Sequence, residues 1–379
     1  MRPIDPPQAP PSRDPLPGVD PVLGEVLAAY GLPAGRAHVE RAPSGLIQQT
    51  WLVTLDPDAA SRRLVVQRMH PIFGPEVLDD IDVVTAHLAA AGLATPRPLR
   101  TPDGRLSVAD GDARCWRVLS YVDGVTFDRA PRPAAAEAAG RLVARFHRAV
   151  ADLDHQFRFV RAGVHDTAAH LARLEAVLGA APLADADQAR LAPLAQEILA
   201  EAGRLPPLGA LPRRITHGDL KLSNVVFADA SASEARALID LDTLGRLSLA
   251  YELGDAWRSW CNPLGEDVED ARFDLEVFAA GVAGYARGAH SLLAREEAEA
   301  LVPGVITVCV ELAARFCVDA FEDRYFGWDP ARFPSRREHN RVRATGQLGL
   351  ARSVLAARSA AETVVRREFL SRIPPPIHP

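Results

Sequence analysis

The sequence predicts an α+β chain in two lobes, a small β-rich N-terminal lobe and a larger, mainly helical C-terminal lobe. Between about Val39 and Tyr121, apolar and β-branched residues cluster in short runs bounded by Gly, Pro and Asp. After the turn Val122-Asp123-Gly124 the composition shifts to Ala, Leu, Arg and Glu with helical periodicity. One β interruption falls inside the helical half, at Asn224–Phe227 and Ala235–Leu241, around a polar, turn-prone segment.

Taken in order, residues 1–20 are a Pro-rich stretch expected to be disordered, with seven prolines in the first 17 positions. Residues 21–121 are expected to form the small N-terminal lobe, residues 122–371 the helical C-terminal lobe, and residues 372–379 a second Pro-rich tail. Candidate strands are Ala37–Ala42, Gln48–Leu55, Leu64–Met69, Arg105–Val108 and Cys115–Tyr121. A helix interrupts them, because Val77, Leu78, Ile81, Val84 and Leu88 share helical spacing, and Pro75 and Glu76 suit its first turn. Helices are expected at Glu137–Val150, Thr167–Leu178 and Gln188–Ala202, and again from about Ala250 to Phe369.

Composition removes several function classes. The 379 residues are 48% hydrophobic and 24% charged, as in globular proteins. Their formal net charge of −6 offers no footprint for nucleic acid. The longest apolar run, Leu301–Val310, stops at Glu311, short of the ~18 residues of a membrane helix. The N-terminus has acids and prolines where a signal peptide needs an apolar core. A cytoplasmic protein, monomer or homodimer, without membrane or nucleic-acid partners, is expected. Cys115, Cys261, Cys309 and Cys317 have no CxxC spacing, so neither zinc nor a disulfide framework is suggested.

The strongest motif is His217-Gly218-Asp219-Leu220-Lys221-Leu222-Ser223-Asn224, followed by Ile239-Asp240-Leu241-Asp242. An Asp with an Asn five residues later, on a loop entering a strand, presents a carboxylate to a substrate hydroxyl and an amide oxygen to a metal. Asp240, at the end of the neighbouring strand, completes such a metal site. The motif matches the protein-kinase catalytic loop with Gly in the Arg position. On these residues the chain resembles the aminoglycoside phosphotransferase and choline kinase superfamily, whose signature is HGDxxxxN followed by IDxD. The resemblance implies a protein-kinase-like bilobal fold and Mg²⁺-dependent transfer of the ATP γ-phosphoryl group to a small-molecule hydroxyl. It makes Asp219 the catalytic base and Asn224 and Asp240 the Mg²⁺ ligands, with His217 structural. Asp242 is a further metal candidate, and Lys221 a candidate contact for the transferring phosphoryl group.

Five further segments, beginning at Ser44, Val66, Ile239, Gly254 and Glu338, resemble the N-acetylhexosamine 1-kinase branch, from about residue 40 to 350. That branch implies a sugar acceptor phosphorylated at its anomeric hydroxyl. Three departures from protein kinases stand out. The β3 Lys that pairs with the α- and β-phosphates is replaced by Gln67 or Arg68, which point to opposite faces of a strand. For the partner acid on the following helix, Asp82 is placed ahead of Glu76 and Asp80. The phosphate loop keeps one glycine, at Ser44-Gly45. Backbone groups near Ser120 and Val122 are expected to hold adenine.

For the acceptor, Arg315, Tyr325 and Trp328 combine charge with aromatic faces, as a hexose requires. A helix end with core aromatics is the plainer reading of the same cluster. Asp255 reads as a buried carboxylate stabilising the catalytic loop. The alternatives are an aminoglycoside or an amino-alcohol acceptor such as choline or homoserine, with Glu266, Asp267, Glu269 and Asp270 as a possible cation-binding patch. A pseudokinase that binds nucleotide as a regulatory module is the rival outside enzymes.

Overall fold

The computed structural model describes residues 21–369, leaving out 34, 36, 43–47, 56–61, 161–162, 181–185, 206 and 290. The chain forms two compact units, residues 1–82 with 97–121 and residues 83–96 with 122–379. The Pro-rich ends, 1–20 and 372–379, lie outside the described residues.

The first unit opens with a helix that the sequence patterning did not single out, α1 (Pro21–Ala29). The strands β1 (Ala37–Arg41), β2 (Gln49–Leu55) and β3 (Arg62–Arg68) follow, and then α2 (Val77–Ala90), whose residues beyond Asp82 belong to the second unit. Short β4 (Val108–Ala109) and β5 (Cys115–Ser120) complete an antiparallel sheet of order β1-β2-β3-β5-β4. The strand expected at Arg105–Val108 shrinks to two residues, because a turn claims the backbone before it. Thr101 N–H donates to the Arg105 carbonyl, and Arg105 N–H donates to Thr101 Oγ1.

Period-two alternation gives this sheet two different faces. Trp51, Val53, Leu64, Val66, Trp116 and Val118 pack under Leu23, Val26 and Leu27 of α1 and Tyr30 just beyond it. Trp51 and Trp116 stack with ring centroids 5.0 Å apart. Burying side chains of this size contributes about 2 kcal/mol each, so α1 is held by its apolar stripe. The opposite face carries Thr50, Gln67 and Arg117 side by side on β2, β3 and β5.

The second unit is built on helices α3 (Pro133–Ala149), α4 (Thr167–Ala180) and α5 (Ala186–Ala202). Strand β6 (Arg214–Thr216), the hairpin β7 (Val225–Phe227) and β8 (Ala235–Leu238), and β9 (Gly245–Leu247) come next, β9 pairing with β6. Helices α6 (Leu249–Trp260), α7 (Leu275–Ala289), α8 (Arg295–Glu299), α9 (Leu301–Glu322), α10 (Arg336–Ala356) and α11 (Arg358–Glu368) finish the chain.

Helix α9 is the central element, packed by α6, α10, α4 and α5. At 22 residues it is long and apolar enough to cross a bilayer, contrary to the run read as ending at Glu311, yet 83% of its apolar window is buried inside the unit. Glu311 does not end the run because it too is fully buried, paired with His165. Where α9 crosses α6, Gly304 and Gly254 meet, and a Cβ on Gly304 would overlap the Ala250 carbonyl oxygen.

Candidate active site

Residues His217–Asn224 run from β6 through a 3₁₀ turn at Leu222–Asn224 into β7. Partners from remote elements fix this loop. Gly218 sits at φ +81°, and a Cβ there would overlap the Thr243 carbonyl oxygen, so glycine is required twice over. The Thr243 hydroxyl donates to the His217 carbonyl at 2.8 Å, and Trp260 Nε1 donates to the Leu220 carbonyl at 2.6 Å. His217 is fully buried, and its Nε2 donates to the Ile239 carbonyl at 2.9 Å, tying the loop to the segment that carries Asp240. These contacts give His217 the structural place expected of it.

The anchor that sequence reading missed is Glu252, in the first turn of α6. Its two oxygens accept from the backbone N–H groups of His217 at 2.8 Å and Gly218 at 2.9 Å, and His147 Nε2 lies 3.4 Å away. Burial alone would raise its pKa, but the hydrogen bond and charge of His147, with His217, hold it below the ordinary glutamate range. A buried carboxylate of this kind is destabilising unless every lone pair is used, and here its lone pairs set the loop.

Asp219 is half-buried. Lys221 Nζ donates to its Oδ2 at 2.8 Å, and Asn224 Nδ2 donates to its carbonyl at 2.9 Å and to Oδ2 at 3.1 Å. Lys221 is the only lysine among the 43 basic residues of the chain, a signal present in the composition. Burial would lower its pKa, and the carboxylates of Asp219, Asp240 and Asp255 reverse that and hold it above the ordinary lysine range. The ammonium is therefore fixed as a cation beside Asp219.

Asp240 is exposed at the end of the β7–β8 hairpin with φ 64° and ψ 59°. A non-glycine residue there costs about 1 kcal/mol, the kind of strain that collects at working sites. Asp242, in contrast, is buried at 1% exposure, as is Asn224 at 4%. Among the described residues no group of three His, Cys, Asp or Glu is placed to hold a metal. The donor set nonetheless suits Mg²⁺, which takes one or two protein oxygens and keeps phosphate and water for the rest. With its nitrogen committed to Asp219, Asn224 has its amide oxygen left for such a role.

In the first unit, Gln67 Nε2 donates to Thr50 Oγ1 at 3.0 Å and its Oε1 accepts from Arg117 Nε at 2.8 Å. Gln67 thus has a guanidinium beside it, supplied by β5, and Arg117 is 2% exposed. Sequence reading passed over Arg117, since cross-strand register is invisible in the chain. Arg68 is corrected as a phosphate contact: alternation puts it on the α1 face, in register with Trp116, where its charge is felt by Asp110. Asp82 is corrected as the partner acid, because it pairs with Arg100 at 2.6 Å, whereas Asp80 is the acid that α2 buries. Ser120 is corrected in part, since its N–H donates to the Arg97 carbonyl and its hydroxyl accepts from Arg97 N–H, each at 2.9 Å. Val122 is half-buried in the turn that opens the second unit. Ser44 and Gly45 lie outside the described residues.

The acceptor candidates fall together only in part. Arg315 of α9 lies 5.6 Å from the Phe326 ring centroid, and Tyr325 packs edge-on to Phe326 at 4.8 Å. Tyr325 is 52% exposed and Trp328 is half-buried further along the same segment. The turn carrying them is held by buried Asp319, which accepts from the N–H groups of Arg324, Tyr325 and Phe326 and from Asn340 Nδ2.

One turn before Arg315, Glu311 accepts from His165 Nδ1 at 3.1 Å and from the Thr167 hydroxyl at 2.6 Å, while the His165 ring stacks on Tyr251 at 5.3 Å. Burial would lower the His165 pKa, but Glu311 and then Asp255 hold it above the ordinary histidine range. Asp255, paired with Arg258 at 2.8 Å, acts electrostatically on both His165 and Lys221. Each acid of the patch read as a cation site has a basic partner, with Arg258 shared with Asp255 and Arg341 with Glu338. Glu266 pairs with Arg258, Asp267 with His339 and Arg343, Glu269 with Arg341, and Asp270 with Arg272.

Residues 38–290 match the family model described as the phosphotransferase enzyme family. The chain belongs to this family. A homoserine kinase of Methylobacterium nodulans is 30% identical over 243 residues, 62% of this chain and 66% of that protein. Across several such homoserine kinases the chain spans between half and about two thirds of the relative's length. The family fold is likewise seen in an aminoglycoside phosphotransferase from Alicyclobacillus acidocaldarius, with 17% identity, a TM-score of 0.58, and coverage of 93% of this chain and 98% of the other. A microcompartment-associated aminopropanol kinase has 18% identity, a TM-score of 0.58, and coverage of 90% and 98%. The kinase-like fold expected from the motif is the fold observed.

Proposed function

We propose that the protein transfers the γ-phosphoryl group of ATP to a hydroxyl of a small molecule. The observation that carries this reading is Asp219, held by Lys221 and Asn224 on a loop whose two leading amides are gripped by Glu252. Asp219 Oδ2 accepts or orients the acceptor proton, and Lys221 offers charge where the phosphoryl group passes. Asn224 and Asp240 would hold Mg²⁺, which neutralises charge on the β- and γ-phosphates. Gln67 and Arg117 supply the neutral amide and the cation that a single lysine supplies in protein kinases. A retained base and ligand pair speaks against a pseudokinase.

We take the acceptor to be a neutral polyhydroxyl compound, a sugar at its anomeric position. The paired acids at 266–270 leave little attraction for polycationic antibiotics, while Arg315 with the aromatic pair Tyr325 and Phe326 suits hydroxyls and a C–H face. Homoserine is the second reading, favoured by the curated relatives. An ADP-release assay with Mg²⁺-ATP against N-acetylhexosamines, hexoses, homoserine, aminopropanol and aminoglycosides decides between them. Turnover with a sugar above all others supports the first reading, and preference for homoserine overturns it. No turnover with any alcohol while ATP binds would favour the regulatory module.

A further inference from the structure

A cavity of about 110 Å³ lies in the second unit where β6 and β9 meet the end of α3, lined by Arg213, Arg214, Ile215, Arg246, His147 and Val150. Three arginine residues line a space with room for one tetrahedral anion. Arg214 is neutralised by fully buried Glu297, at 2.7 Å. Arg213 and Arg246 are different, since they donate to backbone carbonyls, Arg246 O at 2.6 Å and His155 O at 3.3 Å. A carbonyl occupies a donor without cancelling charge. Among the described residues no carboxylate pairs with either side chain, so this cavity keeps two uncompensated cations in a chain of net charge −6.

The wall of the cavity is His147, whose Nδ1 lies 2.9 Å from the Tyr285 hydroxyl and whose Nε2 faces Glu252. Glu252 in turn holds the amides of His217 and Gly218. The space is thus two side chains from the catalytic loop, through groups that use none of the residues assigned to nucleotide or acceptor. Arginine forks match the oxygens of phosphate in geometry and charge.

We propose that this arginine-lined cavity is a separate binding site for a phosphate-class oxyanion. The test is isothermal titration of the full chain with inorganic phosphate and, in a second arm, with phenyl phosphate, in low-chloride buffer so that screening does not mask the contact. The variants are Arg213→Gln with Arg246→Gln, and Lys221→Gln as control for phosphate held at the catalytic loop. Saturable binding that weakens about tenfold or more in the double variant, as expected for two lost charge-assisted contacts, and persists in Lys221→Gln supports the site. Tighter phenyl phosphate identifies a phosphorylated metabolite as the ligand class, and tighter inorganic phosphate the free ion. Absence of saturable binding, binding unchanged in the double variant, or binding lost only with Lys221→Gln overturns it. Ala151→Glu, at an exposed position on the cavity rim, is a second probe that leaves the arginines in place; its carboxylate should displace phosphate with the melting temperature unchanged.

Discussion

The loop that carries Asp219 and the turn at 323–328 of the same unit are held in different ways. Around Asp219 the loop is gripped by two remote stretches of chain, residues 239–243 through Ile239 and Thr243, and α6 through Glu252 and Trp260. In the turn at 323–328 buried Asp319 accepts from three backbone N–H groups, Arg336 and Arg343 donate to the Asp323 and Gly327 carbonyls, and Tyr325 stays more than half exposed. The difference teaches where a phosphotransferase scaffold can vary. Positioning of the phosphoryl-transfer groups tolerates little displacement, while a turn that exposes its side chains can be re-sequenced at those positions without loss of its backbone anchors.

Breaking the rigid side should cost most. Asp219→Asn is expected to lower kcat about 1,000-fold with nucleotide binding retained, and near-normal turnover would remove its assigned role. Glu252→Gln keeps the shape but exchanges a charged acceptor for a neutral one facing two amides. A kcat loss of about 10- to 100-fold is expected from weakening charge-assisted bonds, with acceptor KM little changed. Equal losses in kcat and binding of the acceptor would show that Glu252 does not act through the loop.

On the adaptable side, Asp319→Ala should raise acceptor KM about tenfold, the effect of one or two lost contacts, while kcat falls far less than in Glu252→Gln. Steady-state kinetics separates the two, and a selective fall in kcat would erase the distinction. His165→Gln sharpens the comparison through pH. His165 has a raised folded pKa, so its contribution is full below the unfolded value of about 6.5 and is lost as pH climbs through the folded value. Glu311 has a lowered pKa, so its contribution is present above about 4.3 and is lost as pH falls through the folded value. The melting-temperature gap between wild type and variant should be widest near pH 5 to 6.5 and narrow toward pH 9. A gap independent of pH would mean that the pair is not ionised.

The parts legible in the sequence are those whose partners are near in the chain. Asp219, Lys221 and Asn224 lie within one loop, so the motif brought all three forward as candidates, while the bonds from Lys221 and Asn224 to Asp219 are visible only in the structure. Glu252, Arg117 and the His165–Glu311 pair are brought in by helix packing and strand register, so no local pattern announces them. The same cause misled the reading of α9. A charged residue normally closes an apolar run, but Glu311 is neutralised by a histidine 146 positions earlier. Position along the helix favours Asp82 over Asp80, but Arg100, arriving from beyond the helix, takes Asp82 as its partner.

The solitary lysine has a practical consequence. Apart from the terminal amine, Lys221 is the only primary amine of the polypeptide, so reductive methylation with ¹³C-formaldehyde would place one side-chain label, two residues from Asp219. Its raised pKa slows that reaction at neutral pH and calls for alkaline conditions. The labelled protein would report arrivals at the reaction centre as the movement of a single NMR line.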